Sequence, residues 1–187
     1  MQEKPTQAWE KSNPFEVDYS LCKIKMMERT LVLIKPDGVE RGLIGNIIGR
    51  FEQRGLKIIG MKMKWVDKKF AEKHYTDDIA KRKGKEVRDL LLEYVTAGPV
   101  VAMVVEGINA VENVRKIVGE TEPKAALPGT IRGDLAHVSY SYADEKKMAV
   151  KNLIHASSTT DADNEVALWF GKEELHSYQT VHDKHIF

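Results

Sequence analysis

Two hydrophobic rhythms alternate along the chain. Thr30-Leu-Val-Leu-Ile34 is a short unbroken apolar run, which predicts a buried strand ending at the turn Pro36-Asp37-Gly38. Leu43, Ile44, Ile47, Ile48 and Phe51 then recur at helical spacing, and Gly55 stops that helix. Met61, Met63 and Trp65 alternate with Lys62 and Lys64, which predicts a strand with the Met/Trp stripe in the core and the lysines in water. Residues 68–95 read as two short helices, with Lys81-Arg-Lys-Gly-Lys85 as a solvated turn between them. Gly98-Pro99 breaks the chain before a strand over Val100–Val105. Val111, Val114, Ile117 and Val118 form the next helical stripe. Residues 119–134 read as a long ordered loop, 135–142 as a strand or loop, 145–154 as a helix, and Val166-Ala-Leu-Trp-Phe170 as the last strand. The sum is β-α-β-(αα)-β-α-loop-α-β. That order fits an α/β (α+β), ferredoxin-like βαββαβ sandwich, a four-stranded antiparallel sheet with helices on one face.

Residues 1–28 lack this rhythm. They hold Pro5, Pro14, Trp9, Phe15 and Tyr19 without a sustained period, and are expected to be an N-terminal extension to a single domain over 29–187. The whole chain of 187 residues is long enough to bury one core without staples. Lys+Arg number 29 against 28 Asp+Glu, so net charge gives no support for bulk nucleic-acid binding. One cysteine, Cys22, excludes an internal disulfide or a cysteine metal cage. The first residues carry no apolar signal-peptide core, and the run Val100–Val105 is too short to cross a bilayer. The expectation is a cytoplasmic protein without a membrane partner.

Glycine-rich phosphate loops are missing. Neither Gly-x4-Gly-Lys-[Ser/Thr] nor Gly-x-Gly-x-x-Gly occurs, so any nucleotide must be held by side chains. Lys35 follows the first strand and is expected at a sheet edge. Arg132 lies in Pro128-Gly-Thr-Ile-Arg-Gly-Asp134, Arg115 on the helix feeding that loop, and Thr121 in Gly119-Glu-Thr-Glu-Pro123. Two guanidiniums and an ammonium suit a di- or triphosphate, although each alone also reads as a surface charge. His155, in Asn152-Leu-Ile-His155-Ala-Ser157, reads either as a satisfied core histidine or as a nucleophile. In the second case Glu165 is placed to fix its tautomer.

These segments, taken in order, make the chain resemble nucleoside diphosphate kinases from about Glu28 to the region of Tyr178. The matching stretches include Glu28 to Val39, Arg41-Gly-Leu-Ile-Gly45, Lys73-His-Tyr75 and Gly98 to Gly107. Val118-Gly-Glu-Thr121, Pro128 to Asp134, Asn152 to Ser157 and Glu165 to Phe170 follow. The likeness is to archaeal members. It implies ping-pong transfer of the γ-phosphoryl group from ATP or another nucleoside triphosphate to a nucleoside diphosphate. His155 would carry the group on Nδ1, oriented by Glu165, with Ser157 supporting Glu165. Lys35 and Tyr75 would bind the transferring phosphate, Arg115, Thr121 and Arg132 the diphosphate, and Asn152 the sugar. Mg²⁺ would be held mainly by phosphate oxygens, with no direct protein ligand. The resemblance also implies a homo-oligomer, a hexamer with a tetramer as the alternative.

The chain departs from that family in three places. No Phe or Trp occurs between Tyr75 and Pro99, where the family stacks the base on a phenylalanine. Alignment back from Tyr94 puts Val87 there, with Leu91 lining the site. An aromatic stack is worth about 1 kcal/mol, so weaker nucleotide binding is expected. The segment between Asp134 and Asn152 is longer than usual and holds Tyr140 and Tyr142. Ser158 replaces the usual acidic residue. His74 is expected to pack rather than react, and His182-x-x-His185 to be a solvated tail. A nucleic-acid module is disfavoured, because exposed aromatics with basic neighbours on one strand face are lacking.

Overall fold

The computed structural model describes residues 27–186. Most of the expected N-terminal extension, with Trp9, Phe15, Tyr19 and Cys22, lies outside the described residues. Four strands, β1 (Met27–Ile34), β2 (Lys57–Trp65), β3 (Pro99–Ile108) and β4 (Ile154–Ala156), form one sheet. Its order is β2-β3-β1-β4 and every neighbouring pair is antiparallel. Among the described residues ten α-helices accompany it: α1 (Pro36–Glu40), α2 (Ile44–Gln53), α3 (Lys68–His74), α4 (Asp77–Lys83), α5 (Lys85–Thr96), α6 (Ala110–Val118), α7 (Ile131–Leu135), α8 (Tyr140–Glu145), α9 (Ala162–Trp169) and α10 (Val181–Ile186). No helix among the described residues is long and apolar enough to cross a membrane.

Helices cover both faces of the sheet, not one. Leu31 and Leu33 point into a core with Ala71, Leu92, Val95, Val166 and Trp169, supplied by α3, α5 and α9. Val32 and Ile34 point the opposite way, into a core with Ile47, Phe51, Val114 and Val118 from α2 and α6. This double burial is why β1 reads as an unbroken apolar run rather than an alternation.

Several expected elements change. Val166–Phe170 is not a strand: Val166, Trp169 and Phe170 are buried at i, i+3 and i+4, the spacing of α9 and its end. The fourth strand is instead Ile154–Ala156, and 145–154 is not a helix. Lys147 (φ 51°) and Leu153 (φ 67°) both take left-handed conformations there, which no helix propagates. Residues 68–95 hold three helices, broken after Tyr75 and at Gly84 (φ 94°). Lys81, Arg82 and Lys83 therefore form the last turn of α4 rather than a turn between helices. Residues 135–142 contain no strand but lead into α8.

The Met61, Met63 and Trp65 stripe is not core. The three are 56%, 59% and 68% exposed on edge strand β2. Their alternation is as read, but the faces are exchanged. Lys62 lies over the Phe170 ring at 4.5 Å and pairs with Glu174, and Lys64 lies over the Phe70 ring at 3.5 Å. The two ammoniums thus sit on aromatic faces as cation–π partners.

Candidate active site

Three chain segments meet at the C-terminal end of β1. Lys35 leaves that inner strand, not a sheet edge as its position in the sequence suggested. Its backbone N–H donates to Leu153 O at 2.8 Å, and its ammonium donates to Asn152 Oδ1 at 2.8 Å. Asn152 in turn donates through Nδ2 to Thr121 O at 2.9 Å, tying the lysine to the loop after α6. Asp37 receives the Tyr94 hydroxyl at 2.5 Å and the Leu153 N–H at 3.1 Å. Leu153 is a fully buried leucine in a left-handed conformation, with both its backbone polar groups bonded. Such backbone strain costs about 1 kcal/mol or more and persists where surrounding contacts over-determine it. It turns the chain so that Asn152 faces Lys35 and His155 enters β4 opposite Leu33.

Arg132 is also buried. It donates through Nε to Asn152 O (3.2 Å), through Nη1 to Gly119 O (2.9 Å) and through Nη2 to Ile154 O (2.6 Å). The expected clamp is therefore also a brace that ties α7 to two other backbone segments, at Gly119 and at 152–154. Each terminal nitrogen keeps a second N–H for a ligand. Gly119 is obligatory beside it, with φ 84° and Thr130 Oγ1 2.5 Å from where a Cβ would stand. Burial lowers the Lys35 ammonium to about 7, helped by the Arg132 charge and opposed by Asp37. Burial likewise lowers Arg132, to about 10.

His155 presents its two nitrogens differently. Nε2 meets Glu165 Oε2 at 2.8 Å, whereas Nδ1 has no bonded partner among the described residues. The Ser157 hydroxyl donates to the same Glu165 oxygen. Burial pushes the Glu165 carboxyl up, but the His155 hydrogen bond and charge, with the Ser157 bond, outweigh it and hold it at about 2. Tyr75 is buried beside this group, and burial and then the Glu165 charge push its hydroxyl far above the usual phenol range.

A cleft of about 1300 Å³ opens over these groups, and every residue expected in the site from the sequence except Ser157 lines it. Ser157 lies behind, reaching the site through Glu165. Arg115 and Thr121 are exposed on one wall, and Val87 and Leu91 of α5 form another. Sequence reasoning missed five contributors. Lys83, read as part of a solvated turn, lines the cleft close enough to lower Lys35 further. Met148 and Ala149, from the lengthened segment after α8, also line it. Asp37 and Tyr94 form the buried support beneath Lys35. Asp37 carried a weak signal, a carboxylate within a Pro-Asp-Gly turn. Tyr94 carried none.

A ferredoxin-like sheet carrying a cationic cleft over an oriented imidazole defines a phosphotransferase of the α+β class. Comparison with known proteins gives the family. The family model for nucleoside diphosphate kinase matches residues 28–175. The nucleoside diphosphate kinase of Pyrococcus furiosus is 53% identical over 153 residues, covering 81% of this chain and 88% of that protein. That of Borreliella burgdorferi is 46% identical over 156 residues, covering 82% and 93%. A solved structure, a transition-state mimic of the Borrelia burgdorferi kinase with bound vanadate and ADP, aligns with a TM-score of 0.84 at 44% identity, covering 86% of this chain and 96% of that one. The chain belongs to the nucleoside diphosphate kinase family.

Proposed function

We propose that this chain transfers the γ-phosphoryl group of a nucleoside triphosphate to His155 Nδ1 and from there to a nucleoside diphosphate. The observation that carries this reading is the asymmetry of the His155 ring, with Nε2 held by Glu165 and Nδ1 left without a partner among the described residues. The Nδ1 lone pair attacks phosphorus, the bond to the β-phosphate oxygen breaks, and the diphosphate leaves. Positive charge that develops on the imidazole is balanced by Glu165, which Ser157 holds in place. Lys35 and the Tyr75 hydroxyl bind the transferring phosphoryl group, and Arg115, Thr121 and Arg132 hold the remaining diphosphate. Asn152 bonds the sugar hydroxyl. The second half-reaction is the reverse, with a different nucleoside diphosphate as acceptor.

The base rests against Val87 and Leu91, with Met148 and Ala149 on the same cleft. None of these four side chains reads a base by hydrogen bonding, so broad nucleobase use follows. Mg²⁺ fits as a partner of phosphate oxygens rather than of protein. The one His/Asp/Glu cluster of metal-binding geometry among the described residues is His74, His155 and Glu165. There Glu165 Oε2 is taken by His155 and Ser157, and His74 Nδ1 by Trp169. Bound through phosphates, the ion supplies neutralisation of charge on the transferring group.

The exposed Met61, Met63 and Trp65 stripe on edge strand β2 supports a homo-oligomer, a hexamer with a tetramer as the alternative. The single cysteine and balanced charge support a cytoplasmic location. The catalytic unit is taken as 29–187. Incubation with γ-labelled ATP and Mg²⁺ tests the reading. An acid-labile, base-stable protein label that chases onto GDP is expected, and absence of label with nucleotide still bound overturns it.

A further inference from the structure

A second imidazole sits behind the first. The His74 ring packs edge-to-face on His155, with centroids 4.7 Å apart and planes at 83°. Its Nδ1 lies 3.6 Å from Glu165 Oε1, the carboxylate oxygen that His155 does not use. A protonated His74 would therefore claim Glu165 and place a second positive charge against the nucleophile. The Trp169 indole N–H blocks this, because it donates to His74 Nδ1 at 3.3 Å and so requires a lone pair there. The neutral ring then carries its proton on Nε2, which is buried with no partner in the described structure. A buried donor without a partner is costly and calls for an explanation in function.

We propose that Trp169 and His74 form a positioning pair in which the indole N–H, by occupying His74 Nδ1, keeps that imidazole uncharged and leaves the Glu165 carboxylate to act on His155 alone. The titratable groups facing His74 are His155 from β4, Glu165 from α9, Lys35 after β1 and Tyr75, the next residue in the chain. Burial, then the charges of His155 and Lys35, lowers His74 to about 3 against the opposing pull of Glu165, in the same direction as the geometry. The pair rests on His155 being the phosphoryl acceptor.

The test is the pH profile of kcat/KM for transfer from ATP to GDP by the full chain. Trp169→Phe keeps an aromatic ring against Phe70 and removes the donor. His74 then protonates at higher pH, and the acid-side loss of activity is expected to begin about one pH unit higher than in wild type, a fall of about tenfold on that limb. The alkaline limb stays in place. Adding His74→Gln removes the titrating ring and is expected to return the acid limb to its wild-type position. Nitrogen-15 NMR of the wild-type His74 ring is expected to show a neutral imidazole protonated on Nε2 from about pH 5 to 8, a readout that stands if Trp169→Phe does not fold. A Trp169→Phe profile that superimposes on wild type, a shift that persists in the double variant, or an imidazolium at His74 near neutral pH overturns the proposal. Failure of the His155 reading shows separately, as wild-type protein that takes no acid-labile label.

Discussion

Tyr94 lies beneath Lys35, its ring centroid 5.0 Å from the ammonium, and its hydroxyl donates to Asp37. One side chain thus serves the Lys35 ammonium with its face and the buried Asp37 carboxylate with its hydroxyl. Tyr94→Phe keeps the face and removes the donor, leaving Asp37 with Leu153 N–H as its remaining described hydrogen-bond donor. The expected outcome is a stability loss of about 1–3 kcal/mol, with kcat/KM falling because the Leu153 turn loosens. Urea unfolding followed by steady-state kinetics checks both, and unchanged stability would remove Asp37 from the support of the site.

Lys35 titrates near neutral pH in the folded protein. Phosphate favours its charged form, so nucleotide binding is expected to take up a proton above about pH 7 and to weaken as pH rises further. Calorimetric titration with ADP in buffers of different ionisation enthalpy measures the uptake, and Lys35→Arg is expected to abolish it. Stability shows the opposite trend in the apo protein. A lysine depressed in the fold is protonated more readily when unfolded, so stability rises between about 7 and 10.5 as the penalty for burying the charge is relieved.

Glu165→Gln preserves an acceptor for His155 and removes the negative charge. The rate of His155 phosphorylation is expected to fall by about 10²-fold with little change in nucleotide affinity. Glu165 is held near 2 in the fold, so the stability it contributes is present above about 4.5 and is lost as pH falls toward about 2. The variant should show a shallower acid unfolding transition over that range. Single-turnover kinetics and acid titration decide the two parts independently.

The nucleoside wall offers a paired test. Val87→Phe places a ring where the cleft has an aliphatic side chain, and is expected to tighten nucleotide binding by about 1 kcal/mol. Met148→Ala removes apolar surface from the same cleft and is expected to weaken binding of all nucleobases alike, by a similar amount. Equilibrium binding of ADP, GDP and CDP separates a general wall from a base-specific contact. An unchanged constant in both variants would place the base elsewhere.

The site was legible where its chemistry lies in side-chain type and order. Lys35, Arg132, Asn152, His155 and Glu165 stand in short polar islands between apolar runs, and these positions are brought together. What holds them was not legible. Leu153 looks like an ordinary core leucine, yet its left-handed backbone is what aims its neighbours, and no residue preference announces it. The α9 segment was misread because a five-residue apolar run has no period long enough to separate helix from strand. The Met/Lys alternation on β2 gave the period but not the sign, since a lysine ammonium can seat on an aromatic face as well as a methionine can pack there.

The bond from Lys35 to Asn152 joins positions 117 apart in the chain, and that from Leu153 to Asp37 joins positions 116 apart. Closing loops of that length costs more chain entropy than forming local contacts. As the chain leaves the ribosome, the first three strands emerge before β4, so Lys35 is made well before its partner Asn152 and before His155. A fragment stopping short of β4 would keep Lys35, Arg115 and Arg132 but lack His155 and Glu165, and is expected to take up no phosphoryl group.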